Sequence, residues 1–291
     1  MFRPAYLCCS KIIEPRGRYP YNFPMSAVIK LSSPATREFW QIPVLFEDDF
    51  LLALDKPAGL LTSPDRYDAQ RPNLMKLLHA GIAEQKPWAR ERGLKYLSNA
   101  HRLDFETSGV ILLAKSKPVL VALADLFGSE KPQKQYVALA SGSPPDEKFE
   151  VDAALAPHPL KIGVMRVDSK HGKKSKTGFI VLENFPSFGY VLLRCEPQTG
   201  RTHQIRVHAA HVGLKIVADE LYGGKPLWLS RLKKDYHLKP GREERPLISR
   251  VALHAERLQL AHPIGGQILS ISAPWPHDLE VGVKYLRKFA Q

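Results

Sequence analysis

The sequence predicts a single α+β domain built on a mixed, mostly antiparallel β-sheet with flanking helices. Its predicted strands do not alternate regularly with helices, which argues against a doubly wound parallel sheet. The 291 residues are 44% hydrophobic and 24% charged, a composition typical of globular proteins. The longest apolar runs are about five residues, whereas a membrane-spanning helix needs roughly 20. These observations exclude a fully disordered chain, a coiled coil and a helical membrane protein.

The N-terminal part of the chain differs from the rest. Residues 1–40 show no hydrophobic periodicity and are rich in proline, tyrosine and basic residues, so we predict an irregular basic arm that starts at Met1 or Met25. Its short apolar stretch is followed by no cleavage site, which argues against a signal peptide. Two short strands around the acidic turn at 48–49 then begin the folded domain. We predict that this domain covers residues 41–291.

Capping residues and apolar periodicity predict four helices. Asn73 can accept hydrogen bonds from the first turn of a helix whose leucines share one face. Pro118 opens a second helix, which Gly128 ends. Thr202 and Asp278 are predicted to cap two further helices.

The remaining apolar runs predict strands separated by polar segments. These strands are expected at residues 110–114, 136–140, 179–182, 190–195, 251–260 and 268–273. The last two form an antiparallel pair that turns at His262-Pro263. Residues 161–177 are predicted to be a basic hairpin or loop, and residues 225–250 a polar excursion over the surface.

The chain is strongly basic. It has 42 Lys and Arg residues against 29 Asp and Glu, giving a formal net charge of +13 and an isoelectric point near 9.6. Such an excess favours a polyanionic partner, and nucleic acid is the first candidate. A merely basic soluble enzyme is the alternative.

Cofactor motifs are mostly missing from the sequence. The three cysteines, at positions 8, 9 and 195, form neither a disulfide framework nor a C-x-x-C zinc motif, so we expect a reducing, cytoplasmic location. His203, His208 and His211 lie close together but lack nearby carboxylate or cysteine ligands, so we expect solvated or phosphate-facing side chains rather than a metal site. No Walker-type or dinucleotide-binding glycine motif is present. We therefore expect no metal and no nucleotide cofactor.

Two polar loops beside apolar elements are candidate sites. The first, residues 101–109, contains Asp104 just before a strand; an Asx-type turn is the structural alternative. A hydrolytic triad of His101, Asp104 and Ser108 is a further alternative. The second, residues 200–208, holds two arginines and two histidines at a predicted helix start, where a phosphate or a buried carboxylate is favoured. Its alternative is a capped helix with a charged face.

These loops and four other blocks resemble the motifs of one enzyme family. The segment His101-Arg102-Leu103-Asp104 with Thr107-Ser108-Gly109 resembles the catalytic signature of the RluA-type pseudouridine synthases. The other blocks are Lys56–Leu60, Lys134–Tyr136, Gly200–His208, Asp219–Gly223, and Leu253–Ala255 with His262-Pro263. All six occur in the family's order and cover about residues 44–276. The chain therefore resembles this family over most of its length.

The resemblance implies an isomerase that converts uridine to pseudouridine in structured RNA, in a stem-loop of rRNA or tRNA. It also implies a central basic cleft in the sheet and no cofactor. By resemblance Asp104 is the essential carboxylate and Arg206 pairs with it. Tyr136 stacks on the flipped uracil, with its hydroxyl assisting removal of the C5 proton, and Leu253 is an apolar wall of the pocket. We expect a monomer.

RNA binding is predicted for further residues of these loops and for lysines of the basic segment 161–177. By resemblance Arg102 holds the everted nucleotide or fills its place. The other predicted RNA contacts are His101, Thr107, Arg201, His203, Gln204, Lys170, Lys173 and Lys174. The rival hypothesis is a noncatalytic RNA-binding or ribosome-associated protein with the same fold. Two departures from the family pattern are Asp55, where asparagine is common, and Ala218, where glycine is usual.

Overall fold

The computed structural model describes residues 28–65, 68, 70–238 and 241–290. Its strands are β1 Val28–Ser33, β2 Glu38–Glu47, β3 Leu51–Lys56, β4 Ser98–Asn99, β5 Ser108–Ala114, β6 Gln133–Ser141, β7 Lys148–Asp152, β8 Leu155–Pro157, β9 Met165–Val167, β10 Lys176–Phe185, β11 Tyr190–Pro197, β12 Lys215–Ile216, β13 Leu253–Ala261 and β14 Ile268–Ser272. Its α-helices are α1 Leu74–Ala83, α2 Pro87–Glu91, α3 Lys117–Gly128, α4 Gln204–His211, α5 Leu229–Leu232 and α6 His277–Phe289.

Twelve of the described strands form one sheet, whose main path runs β1–β2–β3–β5–β13–β6–β11–β10–β7. Neighbours along this path are antiparallel except β5 and β13, which run parallel where Ser108 faces His254. Strands β8 and β9 pair separately as a small hairpin. The predicted α+β class with a mixed, mostly antiparallel sheet is confirmed.

Apolar side chains are buried on both faces of the sheet. One cluster joins β6 and β11 to α4 and α6, through residues such as Leu193 and Leu286. A second joins β1–β3 to α1, and a third joins β5 and β13 to α3. No helix in the described ranges is long and apolar enough to cross a membrane.

Most predicted elements form where the sequence pattern indicates. The strands around the acidic turn are β2 and β3, and those around His262-Pro263 are β13 and β14. The Asn73 side chain accepts a hydrogen bond from the Lys76 N–H at 2.9 Å, so the predicted cap of α1 is confirmed. Helix α3 ends at Gly128 as predicted.

The prediction of an irregular arm is wrong for residues 28–40. This stretch contains β1 and the start of β2, and Ile29 and Leu31 pack into the cluster beneath α1. The alternating pattern of β1 is only six residues long, so it is easily missed beside the proline-rich segment before it. The rest of the predicted arm, including Cys8, Cys9 and Met25, lies outside the described residues. That residues 41–291 form one domain stays a prediction.

Three further local predictions are corrected. Helix α4 begins at Gln204 after His203, which adopts a left-handed backbone (φ 53°), and no cap bond comes from Thr202. Asp278 lies in the first turn of α6 rather than at its N-cap position, which is Pro276. Its two carboxylate oxygens accept hydrogen bonds from Nε and Nη2 of Arg250. The segment 225–250 is not purely a surface excursion, because its apolar residues Leu227, Leu232 and Ile248 join the core.

Candidate active site

The two polar loops predicted from the sequence line one cleft of about 500 Å³. One wall comes from residues 100–107, which precede β5, and the opposite wall from residues 197–206, which lead into α4. Tyr136 of β6 and Leu253 of β13 also line the cleft. The loop before β5 reaches Tyr136 because β13 pairs with β5 on one side and with β6 on the other.

The backbone on either side of Asp104 is held firmly. The Thr62 hydroxyl donates to the Leu103 carbonyl (2.9 Å) and accepts from the Leu103 N–H (3.1 Å). The Phe105 carbonyl accepts from the Gly59 N–H at 2.9 Å. Within the described residues no backbone N–H donates to the Asp104 carboxylate, so the Asx-type turn does not form. The carboxylate stays 18% exposed and is presented to the cleft.

Arg206 is paired differently from the expectation. Its Nε and Nη2 donate to the two carboxylate oxygens of Asp219 at 2.7 and 2.6 Å, a bidentate ion pair. Its Nη1 lies 4.0 Å from Asp104 Oδ2. The predicted pair with Asp104 is therefore the weaker contact, because the fork of the guanidinium is occupied by Asp219. One edge of Arg206 remains directed at Asp104.

Two residues of this centre had no role assigned from the sequence. Asp219 is 1% exposed and holds the Arg206 guanidinium. The Tyr222 ring packs on that guanidinium, with the Arg206 Cζ 5.1 Å from the centre of the ring. The Tyr222 hydroxyl accepts from the Met165 N–H (2.9 Å) and lies 2.8 Å from His203 Nδ1. The only sequence signal was the block 219–223, which resembles a family motif.

Tyr136 lies on β6 next to Cys195 of β11. Burial raises the pKa of its hydroxyl well above the usual range, and the negative charge of Asp104 raises it further. The hydroxyl therefore stays protonated at physiological pH. It can donate a hydrogen bond but cannot act as a preformed phenolate base.

Cations surround the cleft. Arg102 is exposed, Arg201 is half-buried, and the Arg201 Nε donates to the Lys174 carbonyl at 3.1 Å. Lys134 was not assigned as a site residue from the sequence, yet it lines the cleft and donates to the Thr199 carbonyl at 3.0 Å. The three lysines expected to bind RNA, at positions 170, 173 and 174, are all exposed.

Three residues predicted to contact RNA line the cleft but are largely enclosed by the fold. Gln204 is buried, and its amide donates to the Lys176 carbonyl and to the Thr177 hydroxyl while its oxygen accepts from the Arg201 N–H. Thr107 is buried, which leaves almost no surface for a contact. His101 accepts from the Leu112 N–H at 2.9 Å, and burial lowers its pKa to about 3. An uncharged imidazole offers no cation to a phosphate.

His203 is placed where its side chain can contact a substrate in the cleft. It lines the cleft, and its Nδ1 can accept from the Tyr222 hydroxyl, because that hydroxyl already accepts from a backbone N–H. This arrangement leaves the N–H on Nε2. Burial lowers the pKa of His203 although Asp104 raises it, so the ring is a neutral donor.

The alternatives based on histidine are not supported by the geometry. His208 is buried rather than solvated, with Nδ1 2.9 Å from the Thr177 hydroxyl and Nε2 2.9 Å from the Ala153 carbonyl. Among the residues that the structure describes, no group of histidine, cysteine and carboxylate side chains could hold a metal ion. The Ser108 hydroxyl is buried 3.0 Å from His254 Nδ1, so it forms no triad with His101 and Asp104.

A buried lysine supports the loop that carries Asp104. The Lys56 ammonium donates to the Pro57 (2.8 Å) and Leu60 (2.7 Å) carbonyls, and weakly to Phe105 (3.4 Å). Burial lowers the pKa of Lys56 to about 7, although the charge of Asp104 opposes this shift. The segment Lys56–Leu60 therefore contacts the loop that carries Asp104 directly.

Asp55 is expected to destabilise the fold at neutral pH. Burial raises the pKa of its carboxyl to about 6, against 3.8 for an unperturbed aspartate, although Lys56 and Arg250 lower it. Ionised Asp55 is thus penalised above pH 6, and the penalty vanishes below about pH 4, where both states are protonated. We predict that Asp55→Asn raises the free energy of unfolding by about 1–2 kcal/mol at pH 7.5. Urea unfolding at pH 7.5 and 4.5 checks this.

The exposed Asp49→Asn variant is the matched control for Asp55→Asn. It is expected to change stability little at either pH. A gain for Asp55→Asn that is equal at pH 7.5 and 4.5 would contradict the assignment to carboxylate burial.

Comparison with known proteins gives a consistent result. A family model described as "RNA pseudouridylate synthase" matches residues 50–211. Ribosomal large subunit pseudouridine synthase D of Xanthomonas campestris pv. campestris is 33% identical over 277 residues, covering 91% of this chain and 75% of that protein. Ribosomal large subunit pseudouridine synthase C of Escherichia coli K12 is 35% identical over 246 residues, covering 84% and 70%.

A solved structure shares the fold. Human RNA pseudouridylate synthase domain containing 4 superposes with a TM-score of 0.62 at 21% identity, covering 84% of this chain and 92% of that one. At that identity the likeness concerns the fold. The motifs and the cleft they line provide the remaining observations on chemistry.

Proposed function

The chain belongs to the RNA pseudouridylate synthase family and is an isomerase that acts on RNA, and we propose that it modifies uridine in large-subunit ribosomal RNA with Asp104 as its essential carboxylate. The observation that carries this proposal is the cleft itself. It presents the Asp104 carboxylate 4.0 Å from Arg206 and is also lined by Tyr136. The relatives named as large-subunit synthases support rRNA over tRNA.

The reaction balances without a cofactor. The bond from uracil N1 to the ribose C1′ breaks, the base turns, and a bond from C5 to C1′ forms. The proton on C5 is lost and N1 gains one, so the product is an isomer of the substrate. The uridine must first leave its stack, which costs a few kcal/mol.

Asp104 can serve in three ways: attack on the sugar, addition to the base, or removal of a sugar proton. Each of these needs the carboxylate to be ionised and correctly aimed. Arg206 attracts that charge through its free edge, while Asp219 fixes the orientation of the guanidinium. Arg206 therefore positions the Asp104 carboxylate and places a positive charge beside it.

Tyr136 supplies a ring and a proton donor. The ring can stack on the everted uracil, and Leu253 closes the pocket as an apolar wall. Because the hydroxyl is protonated, we propose that it acts as a proton relay. It accepts the C5 proton at the same time as it gives its own proton to the Asp104 carboxylate. The cationic rim, including Arg102 and Arg201, then holds the RNA backbone.

Tyr136→Phe separates these two roles. The variant keeps the stacking ring and loses the hydroxyl, so we expect kcat to fall about 10²–10⁴-fold with KM within a few fold. Single-turnover measurement of pseudouridine formation checks this. Tyr136→Leu, which removes the ring as well, is expected to raise KM in addition. A Tyr136→Phe enzyme with native kcat would remove the hydroxyl from the mechanism.

The proposed function is tested by release of tritium from RNA labelled at C5 of uridine. Large-subunit rRNA and tRNA transcripts are assayed separately with the native protein. We expect release from rRNA. Release from tRNA alone would overturn the rRNA assignment, and tight binding without release from any RNA would favour the noncatalytic RNA-binding alternative. A monomeric state and a cytoplasmic location stay predictions.

A further inference from the structure

The tip of the β8–β9 hairpin, residues 158–164, displays two apolar side chains to solvent. Leu160 is 88% exposed and Ile162 is 79% exposed, the highest values among the large hydrophobic residues that the structure describes. One exposed leucine is ordinary in a soluble protein. Here an exposed leucine and an exposed isoleucine flank the exposed Lys161, and nothing in the described fold covers either side chain.

This tip is an ordered turn. The His158 Nδ1 accepts hydrogen bonds from the N–H groups of Leu160 (3.2 Å) and Lys161 (3.1 Å). The His158 N–H donates to the Val164 carbonyl at 2.7 Å, and the Val164 N–H to the Lys161 carbonyl at 3.2 Å. The backbone is therefore paired across the turn. It holds both apolar side chains outward at little entropic cost to a binding partner.

The hairpin is tied to the active site. Strand β9 begins at Met165, whose N–H donates to the Tyr222 hydroxyl beside His203 and Arg206. Ile162 is three residues from this anchor, so at about 3.3–3.6 Å per residue it lies within roughly 11 Å of it. A nucleotide next to the one in the cleft is within reach of such a tip.

The hairpin carries exposed cations that match a polyanion. Lys161 is exposed at the tip and Arg166 on β9, while the exposed Lys170 and Lys173 lie at the opposite end of the hairpin, where Lys173 forms backbone hydrogen bonds with Leu155 of β8. Cations of this kind attract phosphates. Exposed apolar side chains in turn are suited to the faces of unstacked bases.

We propose that Leu160 and Ile162 form an apolar wedge that inserts between bases of the RNA beside the target uridine. This inference rests on the proposed function, because it takes the same RNA as its ligand. The wedge supports the bases next to the everted nucleotide, and Lys161 binds the adjacent RNA backbone.

The test is RNA affinity measured over a range of salt concentrations. The probe is the most tightly bound of a set of fluorescein-labelled, overlapping transcripts of large-subunit rRNA. Leu160→Ser/Ile162→Ser is expected to weaken binding about tenfold at every salt concentration, since it removes apolar contact and no charge. Lys170→Gln/Lys173→Gln/Lys174→Gln is expected instead to lower the log–log salt slope by about 2–3.

Two further variants serve as controls for the size of the apolar tip and for loss of an exposed hydrophobic residue elsewhere. Leu160→Phe offers a larger face for stacking and is expected to bind as tightly as the native protein or more tightly. Ile268→Thr removes another exposed hydrophobic residue, on β14, and is expected to bind normally. Circular dichroism checks that each variant is folded.

Native affinity of Leu160→Ser/Ile162→Ser for the transcript would overturn the wedge. Native affinity for naked rRNA with weaker binding to assembled large-subunit particles would also overturn it, and would assign the tip to a protein partner. Tritium release by the native protein reports separately on the proposed function. A wedge effect on binding without any tritium release would refute the catalytic proposal while leaving the wedge intact.

Discussion

Asp104→Asn is expected to lower pseudouridine formation by about 10⁴-fold or more, while RNA affinity stays within a few fold of native. The substitution keeps the size and shape of the side chain and removes its charge. Each of the three possible roles of Asp104 depends on that charge. The backbone of the surrounding loop is held by hydrogen bonds with the Thr62 hydroxyl and the Gly59 N–H, so its conformation does not depend on the carboxylate.

The measurement combines C5 tritium release under single-turnover conditions with a binding titration on the same transcript. Asp146→Asn, on an exposed loop, is the control for loss of one negative charge. Asp104→Glu retains the charge but displaces it, and is expected to be strongly impaired because position matters as well as ionisation. An Asp104→Asn protein with more than a few per cent of native turnover would exclude Asp104 as the essential group.

Asp219→Ala is expected to cost about 3–5 kcal/mol in free energy of unfolding and to lower turnover severely. The substitution leaves the buried Arg206 guanidinium without its bidentate partner. Arg206 is then free to turn toward Asp104, which changes the direction of the charge beside the reacting group. Urea unfolding and tritium release on the same preparation measure both effects.

A double variant separates stability from function. Arg206→Met/Asp219→Leu replaces the ion pair with apolar side chains of similar size, an exchange that is often neutral for stability. We expect it to recover most of the lost stability and to remain inactive. A loss below about 1 kcal/mol for Asp219→Ala alone would show that the pair is not needed to hold α4 and the 219–223 segment together. Activity in the double variant would remove Arg206 from the mechanism.

The two segments that line the cleft are recognisable from the amino-acid pattern alone. Apolar runs with clear breaks locate β5 and β6, and the polar density of residues 101–109 and 200–208 identifies both walls of the cleft. These predictions hold because burial imposes a periodic pattern on the chain that can be read locally. Where the pattern is short, as in β1, the prediction is wrong.

Local pattern does not assign hydrogen-bond partners. Gln204 and His208 stand in a segment rich in polar residues, which predicts that both face solvent or RNA. In the fold they lie against β10, where Thr177 bonds to each of them. A polar side chain can be satisfied by water, by substrate or by a distant strand, and composition does not distinguish these cases.

The sequence by itself determined the α+β class, the basic character, the family resemblance and the choice of Asp104, Tyr136 and Arg206 as candidate catalytic residues. Only the tertiary structure decided which carboxylate occupies the fork of Arg206, that Tyr222 links the active site to the β8–β9 hairpin, and that this hairpin presents an apolar tip. The physical reason is that residue type and periodicity report how deeply a side chain is buried. Its partners depend on strand register and loop geometry, which bring together residues far apart in the chain.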